Sequence, residues 1–366
     1  MARRVFLHVG LPKTGTTFLQ TTMWANRARL AKQGLLYPGE QRLDHYTAFQ
    51  DVRRDRTGGA WDAIRTDLAA WPGTGLISHE FFSVLRPFNI ERIVAALAPA
   101  EVHVVVTARS YVHQFPAVWQ EALKMHVDGG FDEFMESALD GTLTGAWGWD
   151  SQDLPAVLKR WSSAVPAERI HVVTVPPPGE APNLLWRRWC EVLGVDDTGF
   201  DLDVSYPNES LGAQQAALLR RVKPHLSGDL LDGSVKHRWV RRYFGHEVLV
   251  PQRGDRFMPR PEHVERLLER STQAVAKIEH AGYPVSGDLT DLLHPGPASS
   301  GKHPDDVTTE EMLEVAAIAI EQMIRDMRDM TTDRDKWRAR ARQKTTASAR
   351  SRLRTLARRV RGRIRR

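Results

Sequence analysis

The sequence predicts an α/β protein: a P-loop-like parallel sheet flanked by helices, followed by a C-terminal helical extension. Three observations carry this. Short β-branched runs alternate with amphipathic stretches over the first two hundred residues, the pattern of parallel strands joined by crossover helices. The segment "GLPKTGTT" (Gly10–Thr17) lies between the first strand-like run and the first helix-like run, where phosphate loops sit. Beyond a Pro/Gly/Ser stretch at His294–Thr309 the remaining pattern is helical.

Taken in order, Arg4–Gly10 ("RVFLHVG") reads as a buried strand ending in the glycine loop. Thr16–Gly34 reads as a helix with Phe18, Leu19, Thr22 and Met23 on one face and Gly34 as its stop. Thr74–Glu80 is a second strand with polar residues at its C-terminal end. Glu101–Ser110 is a third, with the β-branched run of a strand covered on both faces. Arg169–Val175 is a fourth, closed by "PPPG". Helical patterns fall between them at Trp61–Trp71, Ile90–Leu97, Pro116–His126, Leu154–Ser163 and Asn183–Leu193. After Asp196 the pattern is helical and less regular, with amphipathic helices at Asn208–Val222 and Pro261–Tyr283. This gives an α/β domain over 1–295, a linker over 296–308 and a helical extension over 309–366. Thr308 and Glu311 fit a capping box at the start of that extension. Ala316, Met323, Met330 and Trp337 then recur every seven residues, with Met312, Ala319 and Met327 nearby. That spacing is a coiled-coil signal and makes a homo-oligomer through the C-terminal helix a candidate.

A hydrophobic content of 42% and a charged content of 26% are those of a soluble globular protein. No apolar run approaches the roughly 18 residues of a membrane span. "MARRVFLHVG" lacks the apolar stretch and cleavage site of a signal peptide. The single cysteine, Cys190, allows no intrachain disulfide; in its apolar helical pattern it reads as a buried structural thiol. The cytoplasm is the expected compartment.

The net charge of +6 is unevenly spread. Arg334–Arg366 holds fifteen Lys/Arg against one acid, Asp335, a charge of +14 that leaves the rest at −8. The body therefore shows no sign of a nucleic-acid surface. In the tail, Leu353, Leu356, Val360 and Ile364 form a narrow apolar stripe on an otherwise arginine-rich helix. Such a helix suits peripheral contact with the inner membrane surface, with non-specific nucleic-acid binding or a solvated tail as alternatives.

The loop departs from the nucleoside-triphosphate pattern. Gly10 and Gly15 have the right spacing, but Thr16 stands where that pattern has Lys, and Lys13 lies inside the loop. A strand–loop–helix junction still offers free amides and a helix dipole to an anion. The glycines let the chain bend, Thr16 and Thr17 can donate hydroxyls, and Lys13 adds a full charge. No strand ends in an Asp to hold Mg²⁺; the strand ends supply His79, Glu80 and Arg109 instead. In parallel sheets ligands bind beyond these carboxyl ends.

"PKTGTT" after the first strand resembles the 5′-phosphosulfate loop of the sulfotransferases that use 3′-phosphoadenosine-5′-phosphosulfate (PAPS). "VVVTARSYVHQFPAVWQE" is similar to that family's second motif, a strand ending in Arg followed by a helix. The likeness covers about Arg3–Asp197 and extends more loosely to about Leu293, toward actinobacterial-type sulfotransferase-like proteins. It implies a sulfotransferase fold and PAPS as co-substrate, with no metal. Pro12, Lys13, Thr14, Gly15, Thr16 and Thr17 would wrap the 5′-phosphosulfate, with Lys13 stabilising the leaving phosphate. Arg109 would bind the 3′-phosphate. A general base is implied at the end of the second strand, where His79 and Glu80 both stand; strand alternation aims only one of them at the acceptor. The family's Ser two turns after the Arg is Ala117 here, so Ser110, His113 or Gln114 would have to replace it. A later basic cluster corresponds to one or more of Lys236, Arg238, Arg241 and Arg256.

The function expected is sulfuryl transfer to a hydroxyl or amine of a carbohydrate, glycolipid or other lipid-linked or small-molecule acceptor. A P-loop kinase or related phosphotransferase, and a non-catalytic sulfotransferase-like scaffold, are the rivals. The acceptor pocket is expected around the irregular segments Arg42–Arg56 and Gly141–Trp149, where "GAWGWD" offers aromatic faces.

Overall fold

The computed structural model describes residues 1–143, 147–204, 210–296 and 301–364, with side chains described as far as 338. The chain runs β1 (Arg4–His8), α1 (Thr16–Ala25), α2 (Arg27–Lys32), β2 (Leu35–Leu36), α3 (Asp44–Arg54), α4 (Ala60–Ala70), β3 (Thr74–Ser78), α5 (Pro87–Leu97), β4 (Glu101–Ala108), α6 (Tyr111–Met125) and α7 (Phe131–Leu139). It continues with α8 (Trp149–Gln152), α9 (Leu154–Trp161), β5 (Ile170–Thr174), α10 (Leu184–Leu193), α11 (Ala213–Val222), α12 (Gly233–Lys236), α13 (Pro261–Ala281), β6 (Val285–Ser286) and α14 (Thr309–Ile364). A π-helical stretch, His237–Leu249, follows α12.

The six strands form one sheet in the order β2-β3-β1-β4-β5-β6, with every pairing parallel. This is the α/β architecture read from the sequence. The central strands are apolar on both faces because helices cover both. Val5, Leu7, Val104 and Val106 pack under α3, α4, α5 and α9. Phe6, Leu76, Val105 and Val173 pack under α1 and α10, whose Leu19, Met23, Trp186 and Trp189 are buried. A third cluster joins α6, α7, α11, the π-helical stretch and α13. Cys190 lies in the α10 layer, where burial pushes its thiol up to about 12.

β1 sits at the centre, so its C-terminal loop opens between the ends of β3 and β4. The predicted helix Thr16–Gly34 is two helices. Asn26 breaks it by bonding Thr22 O at 2.8 Å and, across the fold, Asp201 O at 2.9 Å. Arg42–Arg56 is not irregular: His45, Ala48, Phe49 and Val52 are buried at helical spacing on α3. At the start of α14, Thr308 N donates to Glu311 Oε2 and Glu311 N donates to Thr308 Oγ1, the reciprocal capping box read from the sequence. Among the described residues no helix is long and apolar enough to cross a membrane. The tail residues Leu353, Leu356, Val360 and Ile364, the linker residues 297–300 and residues 208–209 of a predicted helix lie outside the residues or side chains described.

Two buried histidines set an acid limit on this fold. Burial lowers His8 to about 3 and His45 to about 4, while an unfolded histidine titrates near 6.5. Between these values the unfolded chain binds more protons than the folded one, so stability falls as pH drops below 6.5. Each histidine accounts for about 2 kcal/mol of that loss at pH 5. Urea midpoints at pH 7 and pH 5 should differ accordingly, and by less in His45→Gln; equal midpoints for wild type would contradict the assignment.

Candidate functional site at the strand ends

The turn after β1 is built on positive φ angles at Gly10 (33°), Lys13 (68°) and Gly15 (81°). A Cβ at Gly15 would meet Leu185 Cδ2 at 2.7 Å, so the loop needs glycine there for space as well as for conformation. Gly15 caps α1 with no side-chain hydrogen bond, and the first turn of α1 carries no acid. The first intrahelical bond runs from Leu19 N to Gly15 O. The amides before it point out of the helix end.

Buried groups hold the loop from below. Thr14 Oγ1 donates to Leu11 O at 2.5 Å and lies 2.7 Å from Thr107 Oγ1. His8 spans the three central strands, with Nδ1 2.7 Å from Ser78 Oγ and Nε2 3.3 Å from Thr107 Oγ1. Gln114 is fully buried and donates from Nε2 to Pro12 O and to Gln152 Oε1. The side chains of Thr14 and Gln114 therefore fix the loop from within, and neither points to open space. Thr16 is buried with its methyl against the Gly10 backbone, and Thr17 is half-buried. Ser110 donates to His294 O at 2.8 Å. His113 Nε2 lies 3.4 Å from His294 Nδ1, and its pKa is lowered to about 4 by burial and then by Arg109.

Lys13 points along α6. Its Nζ donates to Glu121 Oε2 at 2.8 Å. Glu121 also takes Arg241 Nε at 2.5 Å and lies 3.8 Å from Lys124 Nζ. Burial would raise the Glu121 pKa, but Lys13, Lys124 and Arg241 together hold it well below the usual carboxylate range. Burial pulls Lys124 down to about 8 against the attraction of Glu121. Three cations thus share one carboxylate, leaving a net positive cluster beside the loop. Of the four basic residues considered from the sequence, Arg241 is the one brought here. Glu121 lies one helical turn past Ala117 on the same face of α6. Sequence reasoning missed it; the signal was a carboxylate inside the apolar run "VWQEALKM", which must find partners.

Arg109, at the end of β4, is half-buried and among the described residues makes no hydrogen bond or ion pair. Burial lowers its pKa. An unpaired guanidinium in such a place calls for an anion.

His79 and Glu80 do not point to opposite faces. β3 ends at Ser78, His79 caps a 3₁₀ turn over Glu80–Val84, and the strand alternation stops before either residue. The two side chains lie 3.8 Å apart, His79 Nδ1 to Glu80 Oε2. Burial lowers the His79 pKa, with Glu80 acting in the other direction, and Nδ1 accepts from Phe81 N at 3.2 Å. A neutral imidazole that accepts at Nδ1 carries its proton on Nε2. Glu80 takes Gln20 Nε2 at 3.2 Å. Tyr46, Phe49 and Phe81 surround His79, and Trp147 meets Phe81 edge-on at 6.2 Å. Trp149 instead packs on Tyr111 and Phe115. Gly145 and Ala146 of "GAWGWD" lie outside the described residues.

Away from this site, Asp132, His303 and Asp305 form the one group among the described residues with ligand atoms close enough for a metal. His303 Nδ1 accepts from Asp305 N, and Arg260 and Arg220 pair with the two aspartates. These contacts make it an ion network joining the segment before α14 to α7, α11 and α13.

No protein-family profile matches the chain, and no curated protein matches it. Among solved structures, the chain is similar to a sulfotransferase from Alicyclobacillus acidocaldarius, at 14% identity and a TM-score of 0.42, over 76% of this chain and 96% of that one. It is also similar to the sulfotransferase domain from the curacin biosynthetic pathway, at 13% identity and a TM-score of 0.34, over 74% of this chain and 98% of that one. Superpositions this loose place no residue of this chain.

Proposed function

We propose that the protein is a sulfotransferase that takes a sulfuryl group from PAPS to a hydroxyl or amine. The observation that carries this is the pairing of two unlike anion sites at neighbouring strand ends. One is a loop with Lys13 inside it at the start of α1. The other is the unpaired, half-buried Arg109 at the end of β4. A donor with a 5′-phosphosulfate and a separate 3′-phosphate fits both. No Asp stands at the end of β3, β4 or β5 to hold Mg²⁺ for a kinase.

In this reading the acceptor oxygen or nitrogen forms a bond to sulfur as the bond from sulfur to the 5′-phosphate oxygen breaks. Lys13 and the first-turn amides of α1 stabilise the charge left on that phosphate. Glu80 takes the acceptor's proton, because the Nδ1 lone pair of His79 is already used by Phe81 N. Tyr46, Phe81 and Trp147 offer aromatic faces to the acceptor, which suits a carbohydrate ring, a lipid-linked sugar or a small aromatic molecule. Glu80→Gln should lose transfer by about 100-fold or more while His79→Gln keeps most of it; the reverse result would move the base to His79.

The test of the donor is calorimetry with the desulfated product, 3′-phosphoadenosine-5′-phosphate (PAP), against ADP and ATP. PAP should bind about 10- to 100-fold more tightly than ADP, the worth of one charge-assisted contact. Arg109→Ala should erase that difference without changing ADP affinity. Failure to bind PAP would overturn the reading, and Mg²⁺-dependent ATP turnover would favour a kinase.

A further inference from the structure

α14 presents two different faces. Val315 and Ala319 are buried against the body, and Asp326 accepts from Tyr243 Oη at 2.8 Å. The neighbouring face is apolar and uncovered: Leu313, Ile320, Ile324, Met327 and Met330 are each more than half exposed. Leu313, Ile320 and Met327 recur every seven residues, and Ala316, Met323, Met330 and Trp337 do the same three residues later. These are the a and d positions of a heptad stripe about 36 Å long. Of Met312, Ala319 and Met327, the residues beside the second series, Ala319 is buried against the body, and Leu313 and Ile320 stand with Met327 in the exposed series.

We propose that this stripe pairs with the same stripe of a second copy, with the two helices antiparallel. Charge selects the partner and the direction. Thr309–Asp333 carries seven acids against Arg325 and Arg328, a charge of −5, whereas Arg334–Arg366 carries +14. A parallel pair would lay two +14 segments side by side. An antiparallel pair lays Arg334–Ala341 of each helix, with a charge of +3, against Thr309–Ala316 of the other, with a charge of −3, and carries the rest of the basic segment toward a body of opposite charge. The spacing also closes. With a facing d, Leu313 meets Trp337, Ile320 meets Met330 and Met323 meets Met327 in a single register, with the two-fold axis beside Ile324 and Arg325. At the Leu313 end a groove of about 600 Å³ opens between α11 and α14, lined by Leu218, Pro224, Met312 and Ala316 together with Asp128, Arg220 and Arg221.

Light scattering on the full chain should give about twice its 41.4 kDa mass at micromolar concentration. Ile320→Asp with Met327→Asp should give a monomer with an unchanged circular dichroism spectrum. Cys190 is buried, so single introduced cysteines report the register. Ile324→Cys should form a disulfide-linked dimer with itself on oxidation, and Met330→Cys should not. A monomeric wild-type chain at 100 µM, or cross-linking by Met330→Cys but not by Ile324→Cys, would overturn the proposal. So would a monomer that sediments with phosphatidylglycerol vesicles and loses that binding in the double Asp variant, since the stripe would then serve lipid.

Discussion

Lys13→Ala and Lys13→Gly should both lower the sulfuryl transfer rate by 100- to 1,000-fold, the usual worth of one group aimed at developing charge. The pair of variants separates chemistry from folding. Lys13 holds φ at 68°, a conformation that costs a residue with a Cβ about 1 kcal/mol and a glycine almost nothing. Lys13→Gly therefore relieves the backbone while it removes the ammonium. Glu121 keeps Lys124 and Arg241 as partners in either variant, so the buried carboxylate is not left bare. The expected result is a Gly variant with a melting temperature close to wild type and with transfer as low as in the Ala variant. PAP affinity should fall much less than the rate, because the ammonium acts most strongly on charge that appears only as the S–O bond breaks. If Lys13→Gly kept full transfer, the loop would be an anion-binding turn without a catalytic part.

Much of the fold was legible because its signals are local. β1, β3, β4 and β5 are covered on both faces, so each reads as an apolar run that needs no partner to be recognised. β2 and β6 have two residues each, too few for any pattern, and they exist only because a sheet edge was there to pair with. The break at Asn26 rests on an amide bonded to Asp201, which no window on α1 contains. α3 did carry its helical spacing, but a buried histidine and aspartate among its inward residues made the segment look like a polar loop. At the strand ends, the positions of Lys13 and Arg109 were legible from the loop pattern and from their place after strands. The relation of His79 to Glu80 was not, since it depends on where β3 stops pairing with β1. Thr14 and Gln114 show the opposite limit: residue types suited to holding a phosphate can equally hold the loop that would bind it.

Glu121 was the least legible residue and has the largest expected effect on stability. Its partners come from the loop, from its own helix and from the π-helical stretch, and only Lys124 is near in sequence. Glu121→Gln keeps the shape and removes the charge, leaving three cations around a neutral amide. Loss of one member of such a buried cluster costs on the order of 3 kcal/mol, a fall in melting temperature on the order of 5 °C. Inorganic sulfate or phosphate should restore part of that loss, because an oxyanion can sit where the carboxylate charge was. The donor product should respond in the other direction. In the free protein Lys13 is paired with Glu121 at 2.8 Å, so an incoming phosphate must compete for it, and the strength of that pair is subtracted from binding. Without the carboxylate Lys13 has no partner to leave, and PAP should bind the Gln variant at least as tightly as wild type. A variant that melts like wild type would mean the cluster is too well solvated to matter. One that melts low and also loses PAP would mean that Glu121 supports the loop from below, as Gln114 does, instead of competing with the ligand for Lys13.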